Sequence, residues 1–304
     1  MNVALYSVRL FLMTCNISDF NSLLNNTLTS PHILIIDDDK DISSVLRAAL
    51  EVVGCRVSTE SDSSKAEEAC RLAMPDLVLI DLMMPGRSGI DLIGPLNEIA
   101  PDAIICITTG MGDPALLNRS LKSGAWNVLC KPYSLTELGD LINLALRLSE
   151  SLREEKMVGD DAASLNLEFP GDHKPTAADL ARLIAVAAGS GVDSDVAYRK
   201  LPLLASELLD NAYEHGVQGD PTKSYGVQIK LEGSSLKLSV WNTGKSFDGQ
   251  SVVKQKAFAI PKGKLSGLQL ASVLADEMRF GLEPNSVSLL WHLTQTNSQG
   301  NPSK

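Results

Sequence analysis

From His32 to about Lys156, short apolar runs alternate with segments of helical periodicity. HILIID, CRVST, DLVLID, AIICIT and WNVLC predict five strands, each followed by a helix. That order predicts a parallel sheet with helices on both faces, a doubly wound α/β domain. The fifth helix, from about Ser134 to Lys156, is amphipathic at first and charged later. Its length suits a connecting or dimerising helix that runs past the domain.

After the weak linker MVGDDAAS at 157–164 the pattern changes to a strand (LNLEF), two helices, two strands, a helix and a final strand, an α+β arrangement. The second of the two helices is interrupted by Pro202, which predicts a kink or a fresh start near Leu201. The expected organisation is an N-terminal extension over 1–30 without fixed structure, a first domain over 31–150, a helical linker over 151–164, a second domain over 165–295 and a disordered tail over 296–304. The extension is mildly apolar, is broken by Arg9 and is too short to span a bilayer; Met13 is an alternative start.

Composition narrows the function. With 304 residues, 44% of them hydrophobic, the chain has enough apolar material for two cores. A net charge of -10, with no basic stripe, argues against nucleic acid as a direct partner. The cysteines (Cys15, Cys55, Cys70, Cys106, Cys130) form no C-x-x-C pair, and several lie in apolar runs. Such thiols suit a reducing, cytoplasmic setting with no membrane partner.

Chemistry concentrates first at the predicted strand ends. Asp37 and Asp38 close the first strand, Asp81 the third, Thr109 the fourth, and Lys131 with Pro132 the fifth. Strand tips at one sheet edge converge, and clustered carboxylates repel one another unless a cation such as Mg²⁺ neutralises them. Asp81 is then a candidate nucleophile toward a phosphoryl group, with Lys131 and the metal balancing charge and Thr109 binding the new phosphate. Asp39 and Asp41 fall where they would begin a helix.

These residues resemble the response-regulator receiver family, which carries an acidic pair, a phosphoaccepting Asp, a Thr or Ser and a Lys-Pro in this order. The resemblance covers 32 to about 150. It implies a sensor histidine kinase as phosphodonor, Asp81 as phosphoacceptor, Asp37, Asp38 and Asp81 as Mg²⁺ ligands, and Thr109 and Lys131 as the switch. Three positions depart or specialise. The usual aromatic three before the lysine is Val128, and the positions that tune phosphate lifetime are Met83 and Met111. Neither methionine can orient an attacking water, which implies a long-lived aspartyl phosphate.

The second half carries ELLDNAYEHG, in which Glu207, Asn211 and His215 share one helical face. Two strands ending in LSVWNTGKSFD, then KGKLSGLQLASVLADEMRF, whose LADEMRF end reads as helix, and the strand SVSLLWHL follow it. This order, from about Leu165 to Leu293, resembles the histidine-kinase-like ATPase superfamily and, within it, the anti-sigma-factor type of serine/threonine kinase. The implied fold is an α+β sandwich and the implied cofactors are ATP and Mg²⁺. In that reading Glu207 is the catalytic base, and Asn211, Asn242, Gly244 and Gly267 line the ATP site. The pocket is eroded. The adenine-binding aspartate is Asn242, a family glycine is Ser246, with Phe247 and Asp248 matching the motif's end, and another glycine is Leu265.

The histidines do not offer a phosphorelay acceptor, because His32 and His292 lie in strand-like runs and His173 in a turn. The leading expectation is a response regulator whose receiver controls an ATP-dependent protein serine kinase acting on an anti-sigma-factor antagonist or a sigma-factor-like protein. A receiver-gated pseudokinase that binds a partner without catalysis, and a phosphotransfer adaptor, remain open beside it. A homodimer through the fifth helix is also compatible with the pattern.

Overall fold

The computed structural model describes residues 30–110, 113–133, 135–155, 164–245, 263–281 and 285–293. These fall into two compact units. The first runs to Ser149 and takes in 263–265, and the second holds the other described residues. The division falls inside a long helix.

In the first unit, β1 (His32–Ile36), β2 (Arg56–Glu60), β3 (Leu77–Asp81), β4 (Ile104–Thr109) and β5 (Asn127–Cys130) alternate with α1 (Lys40–Val52), α2 (Ala66–Ala73), α3 (Gly89–Ile99) and α4 (Pro114–Lys122). The long helix, α5 (Leu135–Glu155), follows. The five strands are parallel in the order β2-β1-β3-β4-β5, as the alternation predicts. Ile33 to Ile36, Leu77 to Ile80 and Ile104 to Ile107 are buried at every position, because helices cover both faces of a doubly wound sheet. In α5 the stripe Leu138, Leu141, Ile142, Ala145, Leu148 and Leu152 is buried at helical spacing.

A further strand was not foreseen. β9 (Gly263–Lys264) pairs antiparallel with β5 and makes the sheet six-stranded. Its two residues lie in a Gly/Lys/Ser-rich stretch without alternation, so no periodicity announces it.

The second unit is an antiparallel sheet in the order β10-β11-β8-β7-β6. It is built from β6 (Ser164–Pro170), β7 (Ser224–Glu232), β8 (Ser235–Asn242), β10 (Glu277–Gly281) and β11 (Asn285–His292). The helices are α6 (Ala177–Gly189), α7 (Leu201–Asn211) and α8 (Gly267–Leu274). Leu236, Leu238, Val240 and Asn242 point inward at alternate positions of β8 while their neighbours are half-buried. Across the sheet they face Leu231, Ile229, Val227 and Tyr225 on β7 and Trp291, Leu289, Val287 and Asn285 on β11. The period-two pattern and the register together make one buried face, on which the helices pack.

Two local features follow from the sequence. A π-helical turn, Val196–Lys200, runs without a break into α7 at Leu201, so Pro202 sits directly after the widened turn inside a continuous helix. The LADEMRF segment, read as helical, divides: α8 ends at Leu274, and Glu277–Gly281 is β10. Asp276 closes the change by accepting the His292 N–H at 2.7 Å. The register of β10 on β11 outweighs the helical propensity of the stretch.

Candidate functional site

The strand order reverses between β1 and β3, and ligands of open α/β sheets bind at such a switch point. Ile36 is level with Ile80, so the next residues, Asp37 and Asp81, leave adjacent strands together. Asp81 is level with Thr108 and Thr109 with Cys130, which brings Lys131 out at the same edge. Sheet register alone therefore collects residues far apart in sequence.

Lys131 bridges the two carboxylates. Its Nζ donates to Asp37 Oδ2 at 2.8 Å and to Asp81 Oδ1 at 2.6 Å. Asp81 Oδ2 also accepts the Met83 N–H at 2.7 Å, and Asp37 Oδ1 accepts the Asp39 N–H at 3.0 Å. Asp37 and Asp81 are only 3% and 7% exposed. Burial pushes the Asp37 carboxyl above its ordinary range, a rise that Lys131 opposes without cancelling. Burial alone would lower the Lys131 pKa, but its hydrogen bonds to Asp37 and Asp81 hold it above the usual lysine value. The lysine thus stays charged beside a carboxyl that burial disfavours as an ion.

The adjacent acids have different fates. Asp38 is exposed. Asp39 caps α1, accepting the Asp41 and Ile42 N–H groups at 3.0 and 3.1 Å, a contribution of about 1 kcal/mol to the helix. Thr109 is buried, and its carbonyl accepts the Lys131 N–H at 2.7 Å. The Lys131–Pro132 peptide is cis. Among the described residues no group of three or more His, Cys, Asp or Glu side chains is placed to hold a metal ion. The donor chemistry is nonetheless the hard-oxygen kind that suits Mg²⁺: two buried carboxylates, with the exposed Asp38 next to one of them in sequence.

Two residues at this site escape sequence reasoning. A Cβ on Gly89 would stand 2.4 Å from the Asp81 carbonyl oxygen, so only glycine lets α3 begin against the strand end. Tyr133 lies beside the lysine, and burial raises its phenol to about 12. Met83 is exposed, whereas Met111 lies outside the described residues.

The second constellation sits on α7 and what packs against it. Glu207 is 6% exposed, and Asn211 closes the helix. A Cβ on Gly267 would lie 2.8 Å from Glu207 Cβ and 3.3 Å from Asn211 Nδ2, so the missing side chain lets α8 begin against this pair. Past Asn211 the helix widens into a π-helical turn, Ala212–Val217, so exposed His215 leaves the regular i, i+4 register assumed from sequence.

Asn242 ends β8 on its buried face. Its Oδ1 accepts the Gly244 N–H at 2.9 Å, and Asn285 Nδ2 donates to the Gly244 carbonyl at 2.9 Å. That carbonyl contact makes Asn285 a further residue not foreseen. Asn242 Nδ2 is buried with no hydrogen-bond partner among the described residues. Ser266 and Gln269 form a capping box that takes part of the donor capacity at the start of α8. Glu207, Asn211 and Gly267 are therefore brought together, while the Asn242 carboxamide accepts from its own turn. Ser246, Phe247 and Asp248 lie outside the described residues, and Leu265 is fully buried.

Comparison with known proteins identifies both domains. Residues 33–143 match the family model of the response regulator receiver domain, and 172–291 match that of the histidine kinase-like ATPase domain. The chain carries both domains, and their combination makes it a two-component response regulator with an attached ATPase fold. Among curated proteins it is 27% identical over 182 residues to the transcriptional regulatory protein PrrA of Mycobacterium bovis, covering 60% of this chain and 72% of that protein. It is 34% identical over 145 residues to the DNA-binding response regulator MtrA of Mycolicibacterium smegmatis, covering 47% of this chain and 61% of MtrA. A solved response regulator receiver domain protein from Clostridium thermocellum is 30% identical, with a TM-score of 0.38, over 42% of this chain and 99% of its own.

Proposed function

We propose that a sensor histidine kinase phosphorylates this protein on Asp81 and that the phosphorylated receiver controls the output of the ATPase-fold domain on a partner protein. The observation that carries this reading is the Lys131 ammonium held between Asp37 and Asp81 at the switch point of the sheet. In the transfer, an Asp81 carboxylate oxygen bonds to phosphorus as the bond to the donor nitrogen breaks and the imidazole leaves. Lys131 then balances charge on the transferred oxygens, and Thr109 is the hydroxyl that binds the new phosphate. Asp37, Asp38 and Asp81 would hold Mg²⁺, which supplies neutralisation of the converging negative charge. Met83, two residues after the acceptor, orients no water, in keeping with a phosphate that persists for longer than seconds.

For the output, Glu207 acts as base and Asn211, Asn242, Gly244 and Gly267 bind ATP in a protein serine kinase of the anti-sigma type. Its substrate would be an anti-sigma-factor antagonist or a sigma-factor-like protein. The setting is cytoplasmic, without nucleic acid. Among the described residues no helix is long and apolar enough to cross a membrane. A pseudokinase that docks the partner without catalysis is the second reading, favoured by the Asn242 carboxamide turned onto Gly244 with its Nδ2 unpartnered among the described residues.

Incubation with labelled acetyl phosphate and Mg²⁺ tests the input: label is expected on wild type and absent from Asp81→Asn. Label surviving in that variant would contradict the phosphoacceptor. A partner pull-down with the labelled protein, followed by labelled ATP, tests the output. Phosphate on the captured partner supports the kinase, and capture without transfer supports the pseudokinase.

A further inference from the structure

A parallel sheet that ended at β5 would leave that strand's outer N–H and C=O groups unpaired, a template for any chain able to extend beside it. Here the edge is taken by the chain itself. Gly263 lies opposite Cys130 and Lys264 opposite Leu129, in antiparallel register, and both belong to the first unit despite their distance in sequence from its other strands.

The position of this pairing ties it to charge. The residue after Cys130 is Lys131, whose Nζ contacts Asp37 and Asp81 at 2.8 and 2.6 Å and whose backbone N–H bonds Thr109 at 2.7 Å. One peptide unit thus separates the strand-addition site from the lysine that senses the carboxylates. Three residues past β9 the chain enters α8 at Gly267, which packs on Glu207.

We propose that residues 263–264 are a detachable edge strand, docked on β5 while Lys131 bridges Asp37 and Asp81 and released when a phosphoryl group on Asp81 draws the lysine away. The inference rests on Asp81 being the phosphoacceptor. A phosphoryl group brings roughly two negative charges, enough to re-aim the ammonium that now divides itself between two single charges. The backbone at Lys131 and Cys130 follows its side chain, and the register with Gly263 is lost. A two-residue pairing has few bonds to break, so it belongs to the parts of a fold that open at low free energy. Release frees the β5 edge and the stretch that leads into α8. Because coupling is reciprocal, loss of the docked strand favours the phosphorylated receiver.

Hydrogen exchange on the full-length protein tests this, read by mass spectrometry on the peptides that carry 263–265 and 127–131. Samples contain Mg²⁺ with or without beryllofluoride, a phosphoryl mimic, and acetyl phosphate labelling of Asp81 runs in parallel. The expected result is exchange about tenfold faster at both peptides with beryllofluoride, and no change in Asp81→Asn. Unchanged or slower exchange in protein that labels on Asp81 would overturn the detachable strand alone. No label on Asp81 would overturn the phosphoacceptor reading and the inference with it. In a second arm, the double variant Gly263→Pro with Lys264→Pro removes both backbone donors from β9. It should label on Asp81 about fivefold more at steady state, and equal labelling would overturn the linkage. Unaltered exchange in β7 and β8 serves as the control that the variant has folded.

Discussion

The two constellations are built by different means. At the sheet edge, Asp37, Asp81 and Lys131 come from three strand ends and are fixed by the register of five parallel strands, and the two carboxylates share one ammonium. On α7, Glu207 and Asn211 depend on the close approach of a glycine, and the nearby Asn242 keeps a buried donor without a partner among the described residues. A site assembled by sheet register draws its geometry chiefly from strand pairing, with Gly89 the one close backbone approach described beside it. One assembled by glycine contacts can be lost one substitution at a time, and the resemblance puts Ser246 and Leu265 where the family carries glycine.

The contrast can be broken most forcefully at Lys131. In Lys131→Met two buried carboxylates face each other uncompensated, with an expected loss of about 2 kcal/mol in denaturant unfolding without metal. Millimolar Mg²⁺ should restore much of it, and a variant indifferent to Mg²⁺ would contradict the pairing of this site with a hard cation. Gly267→Val should cost somewhat less, about 1–2 kcal/mol, by overpacking against Glu207 and Asn211. It should also abolish any ATP binding detected by calorimetry, while leaving acetyl phosphate labelling of the receiver intact.

Asn242→Asp sharpens the comparison in the opposite direction. A charged acceptor strengthens a hydrogen bond from an amino group, so ATP should bind about tenfold tighter if the pocket is otherwise competent. No binding by either form would favour the pseudokinase. The smallest effect at neutral pH belongs to Tyr133. Burial raises its phenol from an unfolded value of about 10 to about 12. Its contribution to stability is therefore complete below pH of about 10 and declines as pH rises toward 12, because the unfolded chain ionises first. Absorbance at alkaline pH should show a late tyrosinate step that is missing in Tyr133→Phe.

Much of the first site is legible in the sequence, because continuous apolar runs announce buried parallel strands and each run ends on the residue that carries chemistry. Asp37, Asp81, Thr109 and Lys131 come together as that reasoning requires. The separate role of Asp39 as the α1 cap was legible only as a first-turn acid, since capping depends on a backbone angle that composition does not encode. The second site was legible as an order of elements but not in detail. The π-helical turn displaces His215 from the expected face, the strand character of Glu277–Gly281 comes from pairing with β11, and Asn285 is recruited through the Gly244 carbonyl. Each is a tertiary effect without a local signal. The same is true of β9, whose existence depends on an available edge rather than on its own two residues.

The described cysteines offer the molecule a chemical asymmetry. Cys55, Cys70, Cys106 and Cys130 are all buried, belong to the first unit and form no disulfide, and no cysteine follows Cys130 in the chain. Burial raises Cys55 to about 11 and also pushes Cys70 and Cys130 upward, so native thiolate is scarce at neutral pH. Alkylation of these positions must wait for the receiver to open, whatever the ATPase fold is doing. The protein thus carries its own stopwatch for the unfolding of one domain, set by chemistry that the other domain lacks.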